Sequence, residues 1–338
     1  IRFFVGIFLF GIQTYFLSKA LSYLIRIAVF SFDPALLDQQ IFLTFLLGMN
    51  LIDWFAIIVS IIFQGFLFSA GMNFNKKIIM FSATAVYIGM LFFFLTVLLN
   101  DVKFASKAFL NTLNYSNFLD KNNINPLISV SSTIFAYFSI VILSFGDFSR
   151  YVKDDNQLKK GNLSLFLNLI IFSFLAVFIV TGVEGFLNQN NNDLNRIFTN
   201  PMDIIGKLDN LLITNLVLIF VIIASLSTNL IANFIPSQFS LINLAPSILT
   251  IKSSSFIIGF LSFIISISWL TFLSQIGILS IIDTFGAFFG PIFGIMISDF
   301  YLIKKGNLIN KDIHSLERNG VYYYSGGWHI KGAYSLIL

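Results

Sequence analysis

The chain has 338 residues, 57% of them hydrophobic and only 11% charged, with a net charge of +4. A soluble domain of this size carries roughly a quarter charged residues, so the composition is that of a chain whose solvent is largely lipid. The absence of cysteine excludes disulfides, thiolate metal sites and cysteine nucleophiles.

Long apolar runs, each about the length that spans a bilayer as a helix, follow one another along the chain. In order they are Phe3–Phe30, Trp54–Ala70, Ile78–Leu99, Leu127–Phe145, Leu165–Val183, Leu211–Ile235, Phe256–Phe272 and Ile276–Ile303. Clusters of Pro, Asn, Asp and Lys close each run. Ile41–Leu47 is too short to span and is expected at the interface. None of the runs alternates in the ten-residue manner of a transmembrane β-strand. An all-α membrane protein follows, with a transmembrane domain at 1–304 and a cytoplasmic linker at 305–338 that leads into a further apolar run. The chain begins with Ile1 inside one apolar run and ends at Leu338 inside another, so the expectation is a piece of a longer protein, truncated at both ends.

The eight spans leave flanks that alternate between the two sides. One set carries Arg2, Lys76, Lys77, Arg150, Lys153, Lys159, Lys160, Lys252 and the basic residues from Lys304 to Lys331; the other carries Arg26, Lys103, Lys107, Lys121, Arg196 and Lys207. The first set is the larger, which puts the start, the segment after Asp147 and the tail in the cytoplasm. The long loops Asp101–Asn125 and Glu184–Asn210 then face outward.

Polar groups inside a span need partners or a cavity and are functional candidates. Gln13 sits mid-span in Gly11-Ile12-Gln13-Thr14; the alternative to a ligand role is an interhelical hydrogen bond. The sixth run holds Ser225, Ser227, Thr228, Asn229 and Asn233. Ala224, Ser227 and Thr228 are spaced i, i+3, i+4 and share one helix face. Two hydroxyls and a carbonyl there suit a bare monovalent cation, although small-residue packing gives the same pattern. Gly286, Gly290, Pro291 and Gly294 predict a bent or closely packed last span. Asp147, Arg150 and Asp299 are expected in ion pairs at the cytoplasmic helix ends. The histidines, His314 and His329, both lie in the tail, with no paired carboxylates or metal-ligand spacing around them. No phosphate-binding loop is present, so neither an enzyme nor an ATP-driven pump is expected.

Four segments carry a resemblance to the nucleobase:cation symporter-1 family. They are Gly146-Asp147-Phe148-Ser149-Arg150-Tyr151; Ser227-Thr228-Asn229 with Ala232-Asn233; Gly290-Pro291 followed by Ser298-Asp299-Phe300-Tyr301-Leu302-Ile303-Lys304-Lys305; and Tyr324-Ser325-Gly326-Gly327-Trp328 with Ala333. They occur in the family's order, and the match spans essentially the whole chain as helices three to ten of twelve. The resemblance implies a LeuT-type fold of two inverted five-helix repeats, with the substrate at their interface. It also implies a multi-pass protein of the cell membrane, no cofactor and no nucleic-acid partner. The function it implies is cation-coupled import, by alternating access, of a small heterocycle such as cytosine, uracil, a purine, allantoin or hydantoin. A LeuT-type carrier of amino acids and a non-transporting sensor or assembly component are the alternatives.

Residue by residue, the resemblance gives Gln13 and Asn233 the substrate's hydrogen bonds. The Ala224 carbonyl with Ser227 and Thr228 becomes half of a sodium site, with the proton as the alternative coupling ion. Phe138, beside Tyr137, becomes the aromatic that stacks on the ring. The second stacking position, four residues before the glutamine, is Leu9 rather than Trp, with Phe10 next to it. Lys19 and Asp283 are the least explained charges within spans. Both fall in the outer halves of their helices, roughly 9 Å beyond Gln13 and 12 Å before Pro291 at the helical rise. Helices three and ten flank the outer vestibule in LeuT-type carriers, so the two are expected to meet as an outer gate, unless each snorkels to the interface.

Overall fold

A computed structural model describes residues 2–100, 102–112, 121–190, 211–309, 312, 317–326 and 328–337. The helices in chain order are α1 (Arg2–Phe32), α2 (Leu51–Phe68), α3 (Met72–Asn100), α4 (Val102–Thr112), α5 (Lys121–Leu143), α6 (Asp155–Asn190), α7 (Leu211–Thr228), α8 (Ile235–Leu244), α9 (Ile251–Ser268), α10 (Ile278–Ile297) and α11 (Ile330–Ile337). One π-helical turn, Asn229–Phe234, joins α7 to α8, and another, Ser298–Ile303, extends α10. Among the described residues seven helical stretches are long and apolar enough to cross a membrane. The expected fourth span corresponds to α5, which is not one of these seven although its 23 residues reach about 34 Å at the helical rise.

The helix ends follow local chemistry that an apolar pattern alone misses. α2 starts earlier than Trp54 because Asn50 caps the Asp53 amide while Asp53 returns to the Asn50 backbone, a reciprocal capping box. Thr250 and Ser253 do the same for α9. Ile41–Leu47 contains only the short helix Gln40–Leu43, with exposed apolar side chains, as an interfacial segment requires. The expected loop at Asp101–Asn125 instead begins with α4. Its Ala105 and Phe109, four residues apart, are buried, and Phe109 packs against Phe174 and Phe178 of α6 with ring centroids at 5.0 and 5.5 Å. Most of the loop expected at Glu184–Asn210 lies outside the described residues, as do Arg196, Lys207, His314 and Gly327.

The described helices form two compact units, Ile1–Asn123 with Asp147–Gln275, and Ile124–Gly146 with Ile276–Leu338. In the first, α1 is the central helix, packed by α2, α7, α8 and α9. Lipid offers no hydrophobic drive for helix association, so close backbone approach and interhelical hydrogen bonds must hold such a bundle. α9 turns a serine stripe inward (Ser254, Ser255, Ser262 and Ser266), and the Ser262 and Ser266 hydroxyls donate to the carbonyls of Ile7 and Gly11 at 3.2 and 2.7 Å. The large apolar side chains face outward: Phe4 is 71% exposed, Phe66 80% and Phe256 78%. The apolar core that remains is small. Phe10, Phe68 and Phe234 form its centre, with ring centroids 5.1–6.2 Å apart.

In the second unit, a Cβ on Gly286 of α10 would lie 2.1 Å from the Ala136 Cβ of α5. The glycine-rich last span is therefore closely packed at Gly286, and α10 runs without interruption through Pro291. α11 packs along α10.

Gly11 tests this packing scheme. A Cβ there would sit 2.7 Å from the Ile265 Cβ and 2.8 Å from the Ser262 carbonyl oxygen, atoms that cannot swing away. Gly11→Val should destabilise the intact protein by about 1–3 kcal/mol, the range for overpacking, seen as a lower melting temperature in detergent. Gly259→Ala, inside α9 with nothing within 4 Å of the added Cβ, should not lower melting and should raise it slightly, since alanine favours a helix interior over glycine.

Candidate functional site

The candidate residues of the first unit gather around α1 and the π turn. Gly6 lets the turn approach closely: a Cβ there would lie 2.9 Å from the Asn233 carbonyl oxygen. Phe10 and Thr14, one and two turns on, touch Asn229. Its amide nitrogen donates to the Phe10 carbonyl at 3.3 Å, to Thr14 Oγ1 at 3.0 Å and to Gln64 Oε1 at 2.8 Å. Gln64 Nε2 donates to Thr14 Oγ1 and to the Ser60 carbonyl, and Asn233 Nδ2 donates to Asn229 Oδ1 at 2.9 Å. Thr14, Gln64, Asn229 and Asn233 are all buried.

Gln13 lies three residues after Phe10 and seven after Gly6, close to the face of α1 that meets the π turn. It is half-buried and its carboxamide bonds to no described residue. Asn233 retains an open Oδ1. Leu9 is buried and Phe10 is committed to the aromatic core, so neither ring stacking position on α1 offers a free aromatic face.

Ala224, Ser227 and Thr228 end α7 immediately before the π turn, and all three are half-buried. Helical hydroxyls elsewhere in the chain donate to carbonyls three or four residues back, as Thr96 does to Phe92, Thr181 to Val177 and Ser268 to Ile264. Ser227 and Thr228 make no such bond, and their oxygens are left open. A π turn at this point is typical of functional sites in helices, because it breaks the regular carbonyl ladder.

Tyr137 and Phe138 belong to the second unit, half-buried on α5 with their rings edge to face at 5.7 Å. Asp299 is paired as expected, with Lys304 at 2.6 Å, and Lys304 also bonds the Tyr324 hydroxyl at 3.2 Å and lies over the Tyr322 ring. Two motif segments, Ser298–Lys305 and the tyrosine-rich linker, are thus tied together by one lysine. In the first unit Arg150 stacks 3.9 Å over the Phe239 ring. Burial pushes the Asp147 carboxyl above the usual carboxylate range, while Arg150 and Arg2 draw it back.

Lys19 does find a carboxylate, but it is not Asp283. Its ammonium is 3.0 Å from Asp53 Oδ2. The other oxygen of Asp53 accepts from Ser22 at 2.6 Å and from Arg26 at 3.5 Å. Asp283 is exposed and makes no ion pair among the described residues. The capping position of Asp53 on α2 brings its side chain to α1, so a carboxylate of the same unit pairs with Lys19.

A sequence model of the family described as "Permease for cytosine/purines, uracil, thiamine, allantoin" matches residues 1–338. The chain belongs to this family, the nucleobase:cation symporter-1 permeases. Similar curated proteins include a purine-uracil permease NCS1 of Arabidopsis thaliana, 27% identical over 60% of this chain and 33% of its own length. An allantoin permease of Bacillus subtilis (strain 168) is 24% identical over 63% of this chain and 42% of its own. The chain therefore spans well under half the length of these curated relatives. Among solved structures, MHP1, a nucleobase-cation-symport-1 family transporter in a closed conformation with bromovinylhydantoin bound, matches with a TM-score of 0.63 and 18% identity. That match covers 96% of this chain and 65% of the other. The fold is therefore the LeuT-type fold of this permease family.

Gln64 and Asp53 are the residues that sequence reasoning passed over. A polar side chain in the middle of the Trp54–Ala70 run was the available signal for Gln64. Asp53 lay one residue outside that run, and only its capping role reveals it as part of α2.

Removing a partner from a buried ion pair costs about 3–5 kcal/mol. The Lys19 and Arg26 side chains keep 24% and 33% of their exposure, so solvent screening reduces the effect of Asp53→Asn to about 1–2 kcal/mol. Its melting temperature should fall in the intact protein, whereas Asp283→Asn should melt like the parent. Equal effects would contradict the Lys19–Asp53 assignment.

Proposed function

We propose that this permease is a cation-coupled symporter of the cell membrane that imports a nucleobase or related heterocycle by alternating access. The observation that carries the reading is the set of polar groups without partners beside the π turn. The Gln13 carboxamide, the Asn233 Oδ1 and the Ser227 and Thr228 hydroxyls all lie within membrane-spanning helices. An unpaired polar group at such depth is costly unless a ligand or water meets it. A carboxamide offers a donor and an acceptor side by side, which matches the N–H and C=O edge of a lactam or ureide ring. The relatives' names (purine-uracil permease, allantoin permease) and the bromovinylhydantoin of the similar structure share that edge.

The coupling ion of this reading is sodium, held by the Ala224 carbonyl and the two hydroxyls. Hard oxygen donors with no titratable group among them bind a monovalent cation without proton exchange.

Uptake of radiolabelled uracil, allantoin or hydantoin by the intact protein in vesicles tests both parts. Gln13→Ala and Asn233→Ala should each raise KM roughly 5- to 150-fold, since an unpaired buried polar edge costs about 1–3 kcal/mol, with protein amount in the membrane little changed. Parental KM in both variants would remove the substrate assignment.

Thr228→Ala should raise the sodium concentration for half-maximal uptake. Uptake indifferent to sodium and driven by a pH gradient would make the proton the coupling ion instead.

A further inference from the structure

The amides that link α2 to the π turn have a fixed polarity. A backbone carbonyl can only accept a hydrogen bond, and two carbonyls anchor the chain of amides. The Ser60 carbonyl accepts from Gln64 Nε2 at 3.2 Å, which turns Gln64 Oε1 toward Asn229. The Phe10 carbonyl accepts from Asn229 Nδ2, which turns Asn229 Oδ1 toward Asn233. Asn233 meets that oxygen with its amide nitrogen at 2.9 Å. Each side chain along the line is buried, Gln64 and Asn229 fully, so reversal of any one amide would set like groups against each other where no water can intervene.

We infer that Gln64 is a positioning residue for the transported ring: acting through Asn229, it locks Asn233 so that Oδ1, an acceptor, is the atom presented to substrate. The ring selected is one that offers an N–H donor to that oxygen. Gln64 itself touches no substrate. This inference rests on the substrate reading above and adds to it a direction for the hydrogen bond and a residue on α2 that enforces it. Without Gln64 Oε1, the Asn229 carboxamide loses its closest acceptor and is held in this orientation only by Thr14 Oγ1 and the longer bond to the Phe10 carbonyl. Asn233, which Asn229 Oδ1 orients, then presents its oxygen to the ring less firmly.

The test is a double-mutant cycle on the intact protein in vesicles, with radiolabelled uracil, allantoin and hydantoin as probes and KM and maximal rate read separately. Gln64→Met should raise KM about 3- to 10-fold, the effect of one lost buried hydrogen bond, with little change in maximal rate per protein in the membrane. In the Asn233→Ala background it should add no further rise, because partners in one network couple. If Gln64→Met does not reach the membrane, Gln64→Asn carries the same test. It keeps the carboxamide but draws its oxygen back by one methylene, and the same coupled rise is expected. Equal rises in both backgrounds, or a fall in maximal rate with parental KM, would mean that Gln64 only supports the helix packing and would overturn the relay alone. A silent Asn233→Ala would overturn the substrate reading, and the relay with it.

Discussion

The structure depends on how α1 satisfies and is satisfied by its neighbours as the most buried of the membrane-spanning helices among the described residues. A central helix in a membrane bundle cannot be held by burial of large apolar side chains, since lipid solvates those equally well. Contact instead comes from places where backbones approach. Gly6 and Gly11 clear the way for the π turn and for α9. The Ile7, Phe10 and Gly11 carbonyls then accept second hydrogen bonds from Ser262, Asn229 and Ser266. Charge fixes the ends of the same helix. Arg2 near one end reaches the Ala232 carbonyl at 2.7 Å, while Lys19 and Arg26 toward the other converge on Asp53. The outcome is a rigid polar seam with apolar rings turned out to lipid.

The functional groups arise from interruptions in that seam. Along most of it donors and acceptors are matched, the Ser262 and Ser266 hydroxyls of α9 meeting carbonyls of α1. At the junction of α7 and α8 the helix loosens into a π turn, and there Ser227, Thr228 and Asn233 keep open polar atoms while Gln13 does so on α1. Lipid tolerates a break in the helical ladder only where protein or water meets the freed backbone groups. Along this helix Ser227 and Thr228 come just before the π turn and Asn233 lies within it. In the proposed reading, a cation at Ser227 and Thr228 and a ring at Asn233 would both bear on the conformation of Asn229–Phe234, a simple physical route for coupling.

Much of this was legible in the sequence. Apolar runs of spanning length located the helices, because in a bilayer composition and element are almost the same question. Gln13, Ser227, Thr228 and Asn233 stood out since polar residues are rare at such depth. The rest was hidden for specific reasons. Helix starts at Leu51 and Ile251 are set by capping boxes whose polar residues look like loop. α4 carries too little apolar length to register as a span, yet Ala105 and Phe109 suffice to dock it on α6. The pairing of Lys19 with Asp53 follows from the packing of α2 on α1, which no spacing rule contains. The serines of α9 read as ordinary polar residues until the carbonyls that they meet are known.

The central claim is that the open oxygens at the π turn face a water-filled, substrate-bearing cavity and not lipid. These 338 residues contain no cysteine, so in the intact protein with any cysteine elsewhere replaced, one introduced thiol reports directly on this. Ser227→Cys in the intact protein should react with a small charged methanethiosulfonate reagent, and a saturating transported ring with sodium should slow the reaction several-fold, as substrate and ion displace water from the cavity. Phe4→Cys, at a position 71% exposed on the outer face of α1, should show no such protection. A thiol in place of Ser227 that ignores the charged reagent, or that reacts at one rate with and without substrate and sodium, would contradict the account.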